Sequence, residues 1–310
     1  MSTLRRSSAC AVIAMAAAQI ACGGSTVGTP RAAASATTAA DTAQLTFVPD
    51  AGVRVDQAGL PEAGIDGNGV VHLYYGDSIA HGERVALSPD GLEFGGGVPP
   101  PDHANDPRRV LLPDGTWRLY QLRPDMTLQS ERSSDGVHFS AEPGVRYRPA
   151  PGDHGEMGIY ELFADRAGGV VMLYLGDLHG LNNTRRAYST DGGATFTHQA
   201  DDVLGDASAG GGSSSYVDIT TVPLPDGRRR LFGMRGGQGI YSFVTADDGL
   251  SFTQEPGARV LASDWTEFHV VGLFDPSIVR LPDGRYRMYV AGSIETAATR
   301  RDVILSATTR

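Results

Sequence analysis

Asp275-Pro-Ser-Ile-Val-Arg-Leu-Pro-Asp-Gly-Arg-Tyr-Arg-Met-Tyr289 reads as a β-hairpin, with two β-like runs joined by Pro-Asp-Gly. Pro fixes one backbone angle and Gly accepts a positive φ, so the tripeptide is strong turn chemistry. The pattern recurs as Asp106-Pro-Arg-Arg-Val-Leu-Leu-Pro-Asp-Gly-Thr-Trp-Arg-Leu-Tyr120 and as Asp218-Ile-Thr-Thr-Val-Pro-Leu-Pro-Asp-Gly-Arg-Arg-Arg-Leu-Phe232. In each copy an Asp stands nine residues before the turn Gly, and an aromatic stands five after it. Two variants, Gly69-Val-Val-His-Leu-Tyr-Tyr-Gly-Asp77 and Gly169-Val-Val-Met-Leu-Tyr-Leu-Gly-Asp177, match each other almost residue for residue. Gly69, Gly115, Gly169, Gly227 and Gly284 therefore mark five units, 46 to 58 residues apart. That period predicts an all-β, five-bladed β-propeller of four-stranded antiparallel blades over residues 43–310.

A second motif falls between the markers: Ser88-Pro-Asp-Gly-Leu-Glu-Phe94, Ser133-Ser-Asp-Gly-Val-His-Phe139, Ser189-Thr-Asp-Gly-Gly-Ala-Thr-Phe196 and Thr245-Ala-Asp-Asp-Gly-Leu-Ser-Phe252. An Asp in such a turn bonds its own backbone, and the closing aromatic packs between strands, so these Asp residues are expected to be structural. The fifth unit ends at Arg310 without this motif. Leu45-Thr-Phe-Val48 is expected to supply the missing outer strand and close the ring, leaving no open sheet edge.

The chain holds 40 Gly and 18 Pro, which recur in short turns between β-like runs, and the net charge of −10 speaks against a nucleic-acid partner. The chain has no Lys, which excludes Schiff-base chemistry and a Walker phosphate loop. Arg5, Arg6 and the short apolar stretch Ala9 to Ala21 read as a signal peptide over residues 1–22. Ala21-Cys22-Gly23-Gly24 has the form of a lipobox, so Cys22 is the expected lipid attachment, and the Ser/Thr/Ala-rich residues 23–42 read as a flexible tether. The expectation is an exported monomer held at the bacterial cell envelope by that lipid alone, or, where the segment is a plain cleaved signal peptide, a periplasmic or secreted one. The two Cys residues, Cys10 and Cys22, both precede the repeat, so the folded part has no disulfide and no Cys metal site.

In a propeller the strand before the first turn of each blade lies innermost, and the loops entering these strands gather at one mouth of the central funnel. Those loops are rich in Asp, Glu, His and aromatic residues here. The five-fold Asp-Pro-x-x-x-x-Leu-Pro-Asp-Gly-x-x-x-x-Tyr pattern resembles the five-bladed glycoside hydrolases of the arabinanase, xylosidase, fructosidase and mannoside-phosphorylase groups, while the Ser189 to Phe196 turn resembles a sialidase Asp box. The first resemblance implies a carbohydrate substrate and inner-strand carboxylates acting as base or nucleophile, pKa tuner and acid, with two of them flanking the scissile bond. Asp106 and Asp275 match the Asp-Pro position, Asp218 is their repeat equivalent, and Glu161 is the expected acid. Glu161 lies one position beyond the equivalent place in blade three, and Glu62 two beyond it in blade one. His103, Glu156, Arg109, Trp265 and His269 are the candidate substrate contacts; Trp265 could stack on a sugar face. No cofactor is expected, although some related propellers carry a cation on the axis. Two other readings stay open: a non-catalytic propeller that binds a glycan or protein, and a sialidase-like exo-glycosidase. The latter requires three convergent Arg residues and a Tyr nucleophile such as Tyr160 or Tyr216.

Overall fold

The computed structural model describes residues 45–204, 215–224 and 226–310; the expected signal peptide, Cys22 and tether lie outside the described residues. Each Pro-Asp-Gly turn closes as its chemistry requires. Leu281 N–H bonds the Arg285 carbonyl at 2.8 Å, Gly284 N–H bonds Leu281 at 2.9 Å, and Gly284 takes φ of 88°. Leu112 with Gly115 and Leu224 with Gly227 repeat this geometry.

The hairpins extend into five antiparallel blades. Blade one holds β3 (Ala58–Ile65), β4 (Val71–Asp77) and β5 (Gly82–Ser88); blade two holds β6 (Arg109–Leu111), β7 (Trp117–Leu122), β8 (Leu128–Ser133) and β9 (Ser140–Ala141). Blade three holds β10 (Met157–Ala164), β11 (Val170–Gly176), β12 (Asn183–Ser189) and β13 (Thr197–Ala200). Blade four holds β14 (Tyr216–Pro223), β15 (Arg229–Arg235), β16 (Gly239–Thr245) and β17 (Thr253–Leu261). Blade five holds β18 (Val270–Arg280), β19 (Tyr286–Glu295) and β20 (Arg300–Thr309). The fourth place in blade one is a single bridge, in which Val85 and Val98 exchange both backbone hydrogen bonds at 2.8 and 3.0 Å.

The ring closes through the N-terminal segment. β1 (Phe47–Pro49) pairs with β20, placing Phe47 opposite Thr309 and Val48 opposite Thr308, and β2 (Val55–Asp56) continues along the same strand. A repeated device pins the outer strand. In blade two Glu142 accepts from Arg118 at 2.6 and 2.8 Å and from Ser130 at 2.7 Å. In blade four Glu255 accepts from Arg230 at 2.7 and 2.8 Å and from Ser242 at 2.6 Å. In blade five the acid is Asp50, from the far end of the chain, which accepts from Ser306 at 2.7 Å and Thr308 at 2.9 Å and stands 3.5 Å from Arg287. The sequence around each acid follows one acid-x-Gly-x-Arg pattern: Asp50-Ala-Gly-Val-Arg54, Glu142-Pro-Gly-Val-Arg146 and Glu255-Pro-Gly-Ala-Arg259. In all three the Gly has positive φ and the Arg bonds the backbone carbonyl of the residue after the acid. The N-terminal segment is thus the fourth strand of blade five in chemistry as well as in position.

Neighbouring blades are keyed by the second motif. Tyr120 donates to the Gly193 carbonyl at 3.1 Å and meets Phe196 edge-on at 5.8 Å; Tyr289 donates to Gly91 at 2.7 Å and meets Phe94 at 5.9 Å. Asp90, Asp135, Asp191 and Asp247 each accept backbone N–H groups of their own turns. Tyr120 and Tyr289 are fully buried, so the aromatic five residues after the turn Gly is the seam between blades.

Candidate active site

Strand register defines which inner-strand residues are equivalent. Glu62 faces Tyr74 across its hairpin, Glu161 faces Leu173, Thr220 faces Phe232 and Ser277 faces Tyr289. Arg108, whose carbonyl accepts the Tyr120 N–H at 3.4 Å, completes the set. Glu161 therefore lies two positions beyond the repeat Asp, not one. The blade-three turn Gly with positive φ is Gly168 rather than Gly169, which shifts that blade by a residue. Glu62 and Glu161 occupy the same place in their blades.

A β-bulge interrupts four inner strands just before this position, between Gly59 and Glu62, Gly158 and Tyr160, Val217 and Thr220, and Phe274 and Ser277. Inside three of them Leu60, Asp218 and Asp275 take φ of 52°, 50° and 48°. Bulges re-aim side chains at the cost of regular pairing. Here they turn Leu60, Asp218 and Asp275 into a narrow cavity on the axis that is lined by four inner strands and by Pro107 and Arg108, which lead into β6. Glu62, Arg108, Tyr160 and Glu161 line it too.

The cavity gathers four carboxylates and one guanidinium. Burial pushes Glu62 up to about 7, against the pull of Arg108 and with a further push from Asp106, Glu83 and Glu161. Glu62 still exposes 38% of its side chain to the funnel and stands 3.0 Å from Arg108. Burial likewise pushes Glu161 up to about 7, opposed by Thr221 and Arg229. Its Oε1 accepts the Thr221 hydroxyl at 2.7 Å and the Thr221 N–H at 3.1 Å. Asp218 is raised by burial to about 6, relieved in part by the Asp275 backbone N–H. Asp275 is driven well above the carboxylate range by burial, then by the charges of Asp218 and Glu62. A desolvated carboxylate with no cation beside it holds its proton.

Asp106 does not join them. It is fully buried, and although burial opposes ionisation, hydrogen bonds from His103 and Arg108 hold it down at about 2. Arg108 bonds it at 2.9 and 2.6 Å and His103 Nδ1 lies 3.2 Å away. Asp106 thus anchors the one cation of the cavity, and His103, raised by that same hydrogen bond, braces Asp106 from behind.

Other expected contacts lie elsewhere. Trp265 is 2% exposed within the core shared by blades four and five, so it cannot stack on a sugar. Arg109 stacks on Trp117 at 4.4 Å and donates to the Gly136 carbonyl at 2.7 Å, which fixes the blade-two turn. His269 is exposed and stands 3.8 Å from Glu295, while Glu156 pairs with His179 at 3.4 Å; neither lines the cavity. Among the described residues the cavity does not bring together the three Arg residues of a sialidase-like site either. Arg108 is the single Arg of the lining, Tyr160 donates to the Tyr120 carbonyl at 3.0 Å, and Tyr216 is packed in the core with Arg235 stacked on it. Among the described residues no group of three His, Cys, Asp or Glu side chains is placed to hold a metal ion. Sequence reasoning passed over Leu60, Glu62, Thr221 and Arg229 as site residues. For Glu62 the signal was available in the register of the blade-one turn.

No protein-family model and no curated protein matches the sequence. Solved structures do match the fold. The Bacteroides ovatus xyloglucan PUL GH43B protein aligns at TM-score 0.56 and 12% identity over 83% of this chain and 53% of that one. A xylan β-1,4-xylosidase from Bacillus halodurans C-125 aligns at 0.57 and 12%, over 83% and 54%. An endo-arabinase from Bacteroides thetaiotaomicron VPI-5482 aligns at 0.51 and 14%, over 84% and 96%. The chain spans about half the length of the first two. The protein has the five-bladed propeller fold of the arabinanase and xylosidase glycoside hydrolases.

Proposed function

We propose that the protein is a glycosidase that cleaves a neutral carbohydrate at the axial cavity. The observation that carries this reading is the convergence of Glu62, Glu161, Asp218 and Asp275, from four blades, on one cavity in which burial holds their protons toward neutral pH. Glycoside hydrolysis needs one carboxyl that still carries its proton and one that has lost it. Glu161, raised to about 7, is the acid that protonates the leaving oxygen. In the Asp218–Asp275 pair, Asp218 ionises first and supplies the base or nucleophile, while Asp275 keeps the proton. Arg108, locked by Asp106, orients Glu62. The xylosidase and arabinase named above share the fold, which makes pentose glycosides the first substrates to try. Export and anchoring through Cys22 belong to the same proposal and rest on the N-terminal sequence.

The test is hydrolysis of a panel of aryl pentosides and hexosides between pH 5 and 8 by the full chain and by Asp218→Asn. Turnover of at least one substrate, with kcat/KM reduced about a thousandfold or more in the variant, is expected. Absence of hydrolysis across the panel and on arabinan and xylan would overturn the proposal. It would favour a glycan-binding propeller instead, a reading helped by the apolar Leu60 in the place that Asp218 and Asp275 hold in their blades.

A further inference from the structure

Glu161 is held by two residues of the next blade, and the direction of each hydrogen bond is fixed. Thr221, on β14, is 8% exposed. Its hydroxyl donates to Glu161 Oε1 at 2.7 Å, and the same oxygen receives its backbone N–H at 3.1 Å. Arg229, on β15, donates to the Thr221 hydroxyl oxygen at 2.9 Å. The guanidinium is itself seated 4.0 Å above the Phe163 ring, on the strand that carries Glu161. A hydroxyl has one proton and two acceptor sites, and Arg can only donate. With Arg229 occupying an acceptor site, the proton of Thr221 is committed to Glu161.

We propose that Thr221 and Arg229 are positioning residues that decide which oxygen of Glu161 carries its proton. Oε1 receives two donors and is the carbonyl-type oxygen of the neutral acid, so the proton resides on Oε2. An unconstrained carboxyl distributes its proton between both oxygens. This one is preorganised to donate from a single atom, as a general acid requires. The relay crosses the seam between blades three and four, which ties the alignment of those blades to the state of the acid. Glu161 faces Arg229 from β15 and Glu62 across the cavity from β3, and Arg229 in turn feels Asp248. The inference rests on the reading of Glu161 as the acid, and its test separates the two.

The experiment follows the Glu161 carboxyl by ¹³C NMR in the full chain labelled at glutamate, assigned by its loss in Glu161→Gln, while hydrolysis of 4-nitrophenyl pentosides is measured on the same samples. Thr221→Val removes the hydroxyl and keeps the N–H. It should raise the Glu161 midpoint by about one pH unit, and Thr221→Ser should restore it. The alkaline limb of kcat/KM should move with the midpoint, with kcat about tenfold lower and KM unchanged. An unmoved midpoint in folded Thr221→Val overturns the relay. If Thr221→Val does not fold, Arg229→Gln carries the same expectation and the same refutation. A midpoint that moves without any pentoside turnover leaves the relay standing and removes the catalytic reading instead.

Discussion

Glu161→Gln should make the protein more stable, and only at high pH. In the folded chain burial raises Glu161 from an ordinary 4.5 to about 7. Between those values the native state binds a proton that the unfolded chain has released, so stability falls as pH rises through that window and levels off above it. Fully developed, the gap corresponds to about 3 kcal/mol, and the funnel water that reaches the side chain reduces this to about 1–2 kcal/mol. Glutamine stays neutral at every pH, and its amide oxygen still accepts from Thr221. Asp218 and Asp275 titrate in both proteins and cancel in the difference, while Glu62, relieved of the charge of Glu161, adds to the variant's lead at high pH. Urea unfolding at pH 4.5 should therefore give nearly equal stabilities, and at pH 8 the variant should lead by about 1–2 kcal/mol, a few degrees in Tm for a chain of this size. A difference that is the same at both pH values, or a variant weaker at pH 8, would refute the account of Glu161 as a carboxyl raised by burial.

Two further substitutions test the scaffold. Asp50→Ala removes the acid that Ser306, Thr308 and Arg287 share and should cost about 2–4 kcal/mol, with amide exchange at Phe47 and Val48 rising toward that of the termini; unchanged exchange there would show that the backbone pairing alone closes the ring. Leu60 is 52% exposed and sits at φ of 52°, so Leu60→Gly should be about 1 kcal/mol more stable than Leu60→Ala by thermal melting, the reverse of the usual order.

The fold was legible because its signals are local. A Pro-Asp-Gly turn declares itself in three residues, and a repeat multiplies that signal until the blade count follows. The closing strand was legible in position, since Leu45 to Val48 overlaps β1. Its real signature, the acid-x-Gly-x-Arg run of Asp50 to Arg54, was readable only once the outer-strand copies at Glu142 and Glu255 were known to be equivalent. The site was less legible for a physical reason. Asp106, Asp218 and Asp275 are equivalent by spacing, yet Asp106 has Arg108 two residues on, whereas Asp218 and Asp275 have Thr220 and Ser277 there. A neighbouring guanidinium turns a funnel carboxylate into a buried anchor, and nothing in the spacing of the repeat records that. Trp265 misleads in the same way, because a loop next to an inner strand can fold its aromatic into the core as readily as toward the mouth.

Asp106 apart, which His103 and Arg108 hold down against its burial, the sign of the pKa shift separates the turn acids from the acids of the funnel. Asp90 is lowered to about 2 by the N–H groups of Glu93 and Leu92 and by Ser88. At Asp191 burial works the other way, but Ser189 and Thr195 still bring it to about 2. These turn carboxylates stabilise the fold when ionised, and that contribution is lost as pH falls below their ordinary value of 3.8. Glu62, Glu161, Asp218 and Asp275 do the opposite: each is raised, so each costs stability as pH rises toward 7. Two of the four also hold a backbone conformation that favours glycine. Acids that only supported the blades would gain by trading this cavity for hydrogen bonds of the kind the turns supply. The two sets together place the stability maximum at about pH 4 to 4.5, above the pH at which the turn carboxylates lose their contribution and below the window in which the funnel acids hold protons that the unfolded chain has released. Thermal melts across pH 3 to 9 locate it, and a maximum at pH 7 or above would mean that the funnel carboxylates are ionised without penalty and that the proton proposed for Glu161 is not there.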